Sequence, residues 1–399
     1  VPGAGARGFG LRDGGTLVAT DRLSLASTMV VLRDPGEAYL LCHTGGDGAH
    51  SWVERFHPET LEVLERSPDL PGGPPWPGGV AVHANGSLYV VFGRHAHRLA
   101  PDTSVLARRE LPRNRPYNSF VVLPDGHLAT KDFGGSTPPG VTDVDAPQPA
   151  ELLILEPEGL EIVARVELPE PSVARLSALG DDIYLVGDTA LHRVHWDGTG
   201  LTVDRAFAPR YRTVEGQTFG WDAVLVDGAA WFLDDGEGSE AYAGSLRGCG
   251  RSGAPLHLVR VDLASGAVAL TEISGLPGGI VANPPVIAPQ QSMAIGYDTG
   301  NGRVVGFSID AGGIGERRWE ADLDHGCHPL LFPDTGEVLL AHHDPATGEQ
   351  AVVLDVASGD ELGRVATGSP VQSVLFPAAG FDPDAYLVSF TTLTRISVV

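Results

Sequence analysis

The 27 cationic side chains of this 399-residue chain are arginines with one exception, Lys131. It stands beside Asp132 in "HLATKDFGGS", between an alternating apolar stretch and a glycine-rich one. An ammonium next to a carboxylate can bind an anionic substrate group, or act as a base if burial lowers its pKa. A second reactive set is imidazole. His328 and His343 bracket "HPLLFPDTGEVLLAHH", and His43 closes "AYLLCH". Three converging imidazoles would bind a transition metal, and Cys42 and Cys327 adjoin two of them in sequence as soft ligands. Strand alternation, however, turns each cysteine away from its neighbouring histidine. A turn at Pro333–Gly336 would set His328 opposite Ala341, with His343 on the same face one step along.

Bulk composition removes several function classes. The formal net charge of −24 repels phosphate backbones and anionic headgroups, so neither nucleic acid nor a membrane surface is the expected partner. The expected partner is a small-molecule substrate, and the expected state is a monomer. Three cysteines give no disulfide framework, and no CxxC pair offers a zinc module. No apolar run approaches the ~18 residues of a membrane span. GxSxG, P-loop and zinc-protease motifs are absent. The preference for arginine points to a GC-rich bacterial genome. The first residues are Val1-Pro2-Gly3, without an initiator methionine, so the sequence leaves cytoplasmic and secreted locations equally open.

The elements that must position these residues are strands. Glycine (52) and proline (31) are spread along the whole chain, and 42% of residues are hydrophobic. One pattern recurs: an apolar run, a tight polar turn, and a second apolar run that ends on a polar residue. "MVVLRDPGEAYLLCH", "VAVHANGSLYVVFGR", "SFVVLPDGHLATKD" and "AVLVDGAAWFLDD" are examples. Eight copies begin near Thr28, Gly78, Asn118, Arg175, Trp221, Asn283, His328 and Gln372, at spacings of 40 to 62 residues. Strand-only repeats of this period predict an all-β fold, a single β-propeller domain over residues 1–399 with eight four-stranded blades, seven if a terminal copy is misread. The last copy has only three strands, and "GTLVATDRLSLA" near the N-terminus is expected to supply the fourth. That pairing would remove an exposed sheet edge.

Blade architecture then sorts the reactive residues. The start of each first strand and the end of each second strand open on one face. The starts contribute Trp76, Asn118, Arg175, Trp221, Asp222, Asn283, His328 and Gln372. The ends contribute His43, Arg94, Lys131, Asp132, Asp188, Asp235, Asp298 and His343. A hairpin turn at "LPDGH" sets Asn118 against Lys131 or Asp132, depending on a bulge at Gly126. Two long loops, "DDGEGSEAYAGSLRGCGRSGAP" and "KDFGGSTPPGVTDVDAPQPAE", leave second-strand ends and are expected to fold over that face as lids or specificity loops.

"LDVASGDELGRVATG" and "DPATGEQAVVLD", with their Asp-x-x-Thr/Ser-Gly turn, resemble the repeats of quinoprotein-like eight-bladed propellers. "NSFVVLPDGHLATKDFG" resembles the blade openings of the SMP-30/gluconolactonase and strictosidine-synthase-like propellers. The vicinal cysteines and repeated tryptophan docking motif of the quinoprotein dehydrogenases do not appear. The lactonase resemblance implies calcium at the channel mouth, held by Asn118, Asp222 and Asn283, although the first-blade glutamate of that family has no counterpart in "ASTMVVL". Transition-metal binding through His43, His328 and His343, or no metal at all, stand beside it as alternatives. The resemblance also implies a hydrolase of the lactonase or esterase kind. Asp132 or His328 would activate water, and Lys131 or Arg175 would stabilise the oxyanion. Trp76, Trp221, Gln372 and His343 would contact substrate. A metal-free lyase or cyclase of specialised metabolism, or a propeller that only binds a ligand or protein, are the other readings.

Overall fold

A computed structural model describes residues 7–76, 78–135, 141–310 and 313–399. The fold is all-β, an eight-bladed β-propeller. In chain order the second strands of its blades are Glu37–His43, Leu88–Phe92, Leu128–Lys131, Asp182–Val186, Ala229–Leu233, Met293–Asp298, Glu337–Asp344 and Asp384–Val388. Each pairs antiparallel with the strand before it or the strand after it in sequence, or with both. Blade 1 carries a fifth strand, Leu70–Gly73, on its third. The last blade takes its fourth strand from the N-terminus. Leu17–Leu23 pairs residue for residue with Thr392–Val398, from Leu17 opposite Val398 to Leu23 opposite Thr392. The expected closure is therefore present.

Burial explains the two hydrophobic patterns in the sequence. Second strands such as Ala229–Leu233 and Leu88–Phe92 are buried at every position, because both of their faces are covered, and so they read as continuous apolar runs. The fourth strand Ile162–Glu167 alternates half-buried and exposed residues, as an outer strand with one wet face must. The repeated Asp-x-x-Ser/Thr-Gly turn has a local cause. In "DVASG" the Asp355 carboxylate accepts the backbone N–H groups of Ala357 (2.9 Å) and Ser358 (2.8 Å), and Gly359 takes the left-handed conformation that follows. The turns at Asp262 and Asp344 repeat the carboxylate contacts.

The blades fall into two compact units. One holds Val31–Pro58 and Glu62–Arg210, which is most of blade 1 together with blades 2, 3 and 4. Its core includes a cluster of Tyr89, Val91, Tyr117, Leu128, Leu153 and Leu155 between blades 2 and 3. The other holds Val1–Val30, Glu59–Leu61 and Tyr211–Val399, with blades 5 to 8. There Phe9, Leu17, Phe332, Leu339, Leu387 and Ile396 belong to one cluster. The N-terminal segment is fixed on blade 7 by the buried Glu337, whose carboxylate accepts Leu11 N–H at 2.7 Å and Gly10 N–H at 3.1 Å. Among the described residues no helix is long and apolar enough to cross a membrane.

Candidate functional site

In the unit of blades 2 to 4, the starts of the first strands meet. Gly79 abuts blade 3 so closely that a Cβ there would lie 2.8 Å from Ser119 Cα, which leaves room only for glycine. Arg175, half-buried at the start of blade 4, donates from Nη2 to the Gly78 carbonyl of blade 2 at 2.9 Å. Two residues before Gly78, the half-buried Trp76 stacks on Phe133 with ring centroids 4.5 Å apart. The Phe133 carbonyl is held in turn by the buried guanidinium of Arg115, at 3.1 Å from Nε and 2.5 Å from Nη2. Asn118, 1% exposed, presents a buried side-chain oxygen with no hydrogen-bond partner among the described residues. An orphaned buried acceptor costs about 1–3 kcal/mol, so its retention invites a ligand that donates to it.

Lys131 and Asp132 lie behind this surface. Lys131 is 0% exposed, and its ammonium donates to the carbonyls of Ser172 (2.8 Å) and Asp132 (3.2 Å). The Asp132 carboxylate is buried as well. It accepts Glu151 N–H at 2.6 Å and the Arg113 guanidinium at 3.3 Å. The two neighbours therefore serve different backbones rather than one shared anion. Val121 pairs with Ala129, whereas Tyr117 bridges Asp132, one residue out of step with that ladder, so the hairpin does carry an irregularity ahead of Asn118. Asp188 is half-buried and lies two residues beyond the second strand of blade 4. Its N–H donates to Pro171 O at 3.1 Å, and alternation continued from the Ser177–Tyr184 pair would turn positions 175 and 188 to one face.

The loop "KDFGGSTPPGVTDVDAPQPAE" belongs to the same unit, and residues 136–140 of it lie outside the described residues. Its later part is tied down. The Asp47 carboxylate accepts Thr142 N–H (2.9 Å) and Thr142 O–H (2.5 Å), and Arg115 Nη1 donates to Asp145 O at 2.7 Å. His43 also lies in this unit. It stacks on Phe92, and burial pushes its pKa below the usual range.

In the unit of blades 5 to 8, the other long loop is a docked strap. It leaves blade 5 after Leu233 and returns at His257. Its root passes over Gly279, where a Cβ on Gly236 or Gly250 would come within 2.1 Å and 2.2 Å of the Gly279 carbonyl. Gly248 N–H then donates to Gly300 O of blade 6 at 3.0 Å, and Arg247 pairs with Asp324 ahead of blade 7. The far end lands on Gln372, ahead of blade 8. Gln372 N–H donates to Gly244 O (2.8 Å), and Gln372 O accepts Tyr242 O–H (2.9 Å). Its side chain accepts Leu246 N–H (2.8 Å) and donates to Asp324 O (2.9 Å). Gln372, expected to meet substrate, is thus committed at every polar group to the strap and to Asp324. Sequence reasoning found the loop and this residue separately; no local pattern joins them.

The remaining expected residues of this unit are distributed around the strap. Asn283 is fully buried, and its amide nitrogen donates to Gly326 O (3.0 Å) and Val374 O (3.1 Å), tying three blade starts together. That orientation leaves Asn283 Oδ1 buried and without a partner among the described residues. Asp222 is close enough to Tyr297 to raise its pKa, after burial and Cys327, and the Tyr297 hydroxyl donates to Asn283 O at 2.8 Å. Asp222 and Asn283 are thus both neighbours of Tyr297. Asn118 shows the same orphaned oxygen in the other unit. His343 is buried, with Nε2 3.3 Å from Pro370 O, while His328 is half-buried at the start of blade 7. Phe332 pairs with Glu337 across Pro333–Gly336, the register expected for that hairpin. Trp221 is buried and its indole N–H has no partner among the described residues. Those residues include no group of three or more His, Cys, Asp or Glu side chains placed to hold a metal.

The fold and these blade-start clusters define the class as an eight-bladed β-propeller with long loops docked on its blades. No protein-family model matches the chain, and no curated protein matches it. Among solved structures it is similar to BamB from Moraxella catarrhalis, with TM-score 0.59 and 14% identity over 94% of this chain and 100% of that one. It is similar to Sqt1 from Chaetomium thermophilum, with TM-score 0.61 and 12% identity over 94% and 97%. A third is the quinohemoprotein alcohol dehydrogenase from Comamonas testosteroni, with TM-score 0.61 and 12% identity over 97% and 77%. Identities this low carry the fold alone.

Proposed function

We propose that the chain is a small-molecule enzyme of the ester- or lactone-hydrolysing kind, working at the blade starts of the unit that holds blades 2 to 4. The observation that supports this most is the meeting there of three unlike groups. These are the half-buried Arg175 tied to Gly78, the Trp76–Phe133 stack beside it, and the orphaned Asn118 oxygen. A surface built only for packing needs none of the three together.

In this reading the flat part of the substrate lies against Trp76. Asn118 Oδ1 accepts a hydrogen bond from a substrate hydroxyl or from the attacking water. The water oxygen bonds to the acyl carbon as its proton passes to the Asp188 carboxylate, and Arg175 carries the oxyanion charge. Collapse breaks the acyl–oxygen bond, and the departing alkoxide takes the proton back from Asp188. Asp132 has no part in the step, since its carboxylate holds Glu151 and Arg113. Lys131 acts through the backbone of Ser172, three residues before Arg175. Calcium, if the chain binds it, would be held in the other unit by Asp222 and Asn283, and its chemistry is polarisation of an oxygen ligand.

The test is a panel of aromatic and aliphatic esters and lactones, with acid release followed at constant pH. Turnover of at least one aromatic member, with Trp76→Ala raising KM more than it lowers kcat, supports the reading. A panel that stays inert would sink it.

A further inference from the structure

The strap from blade 5 is anchored over two buried carboxyl groups that no cation neutralises in the contacts described. Under its landing point, Glu349 is wholly enclosed. Its carboxylate accepts the backbone N–H of Ser373, the Ser373 hydroxyl (2.7 Å) and the Thr367 hydroxyl (3.3 Å). Ser373 adjoins Gln372, the residue on which the strap lands. The ionisable groups that face Glu349 are Tyr242 from the strap, Cys327 ahead of blade 7, and His343 opposite it in the blade 7 ladder. None of them supplies a fixed positive charge.

At the root of the strap stands Asp235, equally enclosed, accepting Glu237 N–H at 2.9 Å. The charged groups around it are Asp234, Glu237 and Glu240, all of the same sign. Asp234 is itself bound to His257 at 2.7 Å, and Arg251 pairs with Glu240 rather than with Asp235.

We propose that the strap is a pH-gated cover, docked when Glu349 and Asp235 are protonated and released as they ionise. Burial raises Glu349 to about 7 and Asp235 to about 8 in the docked state. In a released strap both would return toward the ordinary carboxyl range near 4. The docked form therefore holds its protons more tightly. Its advantage is complete below about pH 4, declines as pH rises through the folded values near 7 and 8, and is flat beyond them. Arg247–Asp324 and the Gln372 contacts keep the docked position defined.

The strap carries its own reporters. The side chains of Arg247 and Arg251 are 50% and 63% exposed, and both are trypsin sites. The experiment is limited trypsin digestion of the full chain from pH 6 to pH 9, normalised at each pH to cleavage of a small arginine ester and mapped by mass spectrometry. The expected result is cleavage confined to Arg247 and Arg251 whose normalised rate rises about tenfold or more across the range. Glu349→Gln, which cannot ionise, should lose the part of that rise that Glu349 contributes. Asp235→Asn should lose the part that Asp235 contributes, and it serves if the first variant fails to fold. A normalised rate that stays level with pH overturns the proposal. So does cleavage spread over all blades, or a rise that both variants retain.

Discussion

The Lys131 ammonium lies 2.8 Å from the Ser172 carbonyl and 3.2 Å from that of Asp132, inside the protein. It joins the end of the second strand of blade 3 to the segment that leads into blade 4 and on to Arg175. This accounts for a lysine where every other cation is arginine. A compact ammonium can donate to several carbonyls around a point, whereas a guanidinium is a flat fork that needs a wider slot. The side chain that drew notice as a reactive candidate is a clamp on two backbones.

Lys131→Met should cost about 2–4 kcal/mol of stability, because two buried carbonyls lose a charged donor. Lys131→Arg should restore only part of it, through crowding. Denaturant unfolding of the three proteins checks the order. A methionine variant as stable as the parent would show that the carbonyls have other donors.

Removing residues 1–23 should turn Thr392–Val398 into an open edge, since Leu17–Leu23 is its outer partner. The same deletion strips the Leu11 and Gly10 N–H groups from Glu337 and leaves its carboxylate only the Thr335 hydroxyl at 2.8 Å. The expected outcome is self-association visible by light scattering and a lower melting temperature. A truncated chain that stays monomeric with unchanged melting would contradict the closure as a stabilising element.

Asp222 and the orphaned Asn283 oxygen should respond to calcium. Millimolar calcium should raise the melting temperature of chelator-treated protein, while magnesium, which demands tighter geometry, should do less. Asp222→Asn should abolish the shift. If calcium leaves the melting curve of the parent unmoved, the oxygen pair serves the fold alone.

Much of the fold was legible because its signals are local. Alternation, tight turns and the aspartate-capped "DVASG" and "DPATG" turns are written in a few consecutive residues, and the closing strand followed from counting. The candidate site was legible in its residue types and less so in their roles. Blade-start reasoning put Trp76, Asn118 and Arg175 in one neighbourhood, and they share one unit. It could not see that Lys131 faces inward, because a polar residue at the end of a strand reads the same whether its partner is solvent or a carbonyl 41 residues away. Nor could it see that Gln372 meets a loop 126 residues earlier in the chain. Contacts of that range leave no periodic trace.

The most direct test of the proposed site is Arg175→Gln against the parent, compared as kcat/KM on the best ester or lactone of the panel. Melting curves run alongside confirm that both proteins are folded. The account expects kcat/KM to fall by about 10²-fold or more, mostly in kcat, with melting shifted by no more than the loss of one half-buried hydrogen bond allows. Equal kcat/KM in the two proteins would contradict it and place the chemistry elsewhere on the propeller.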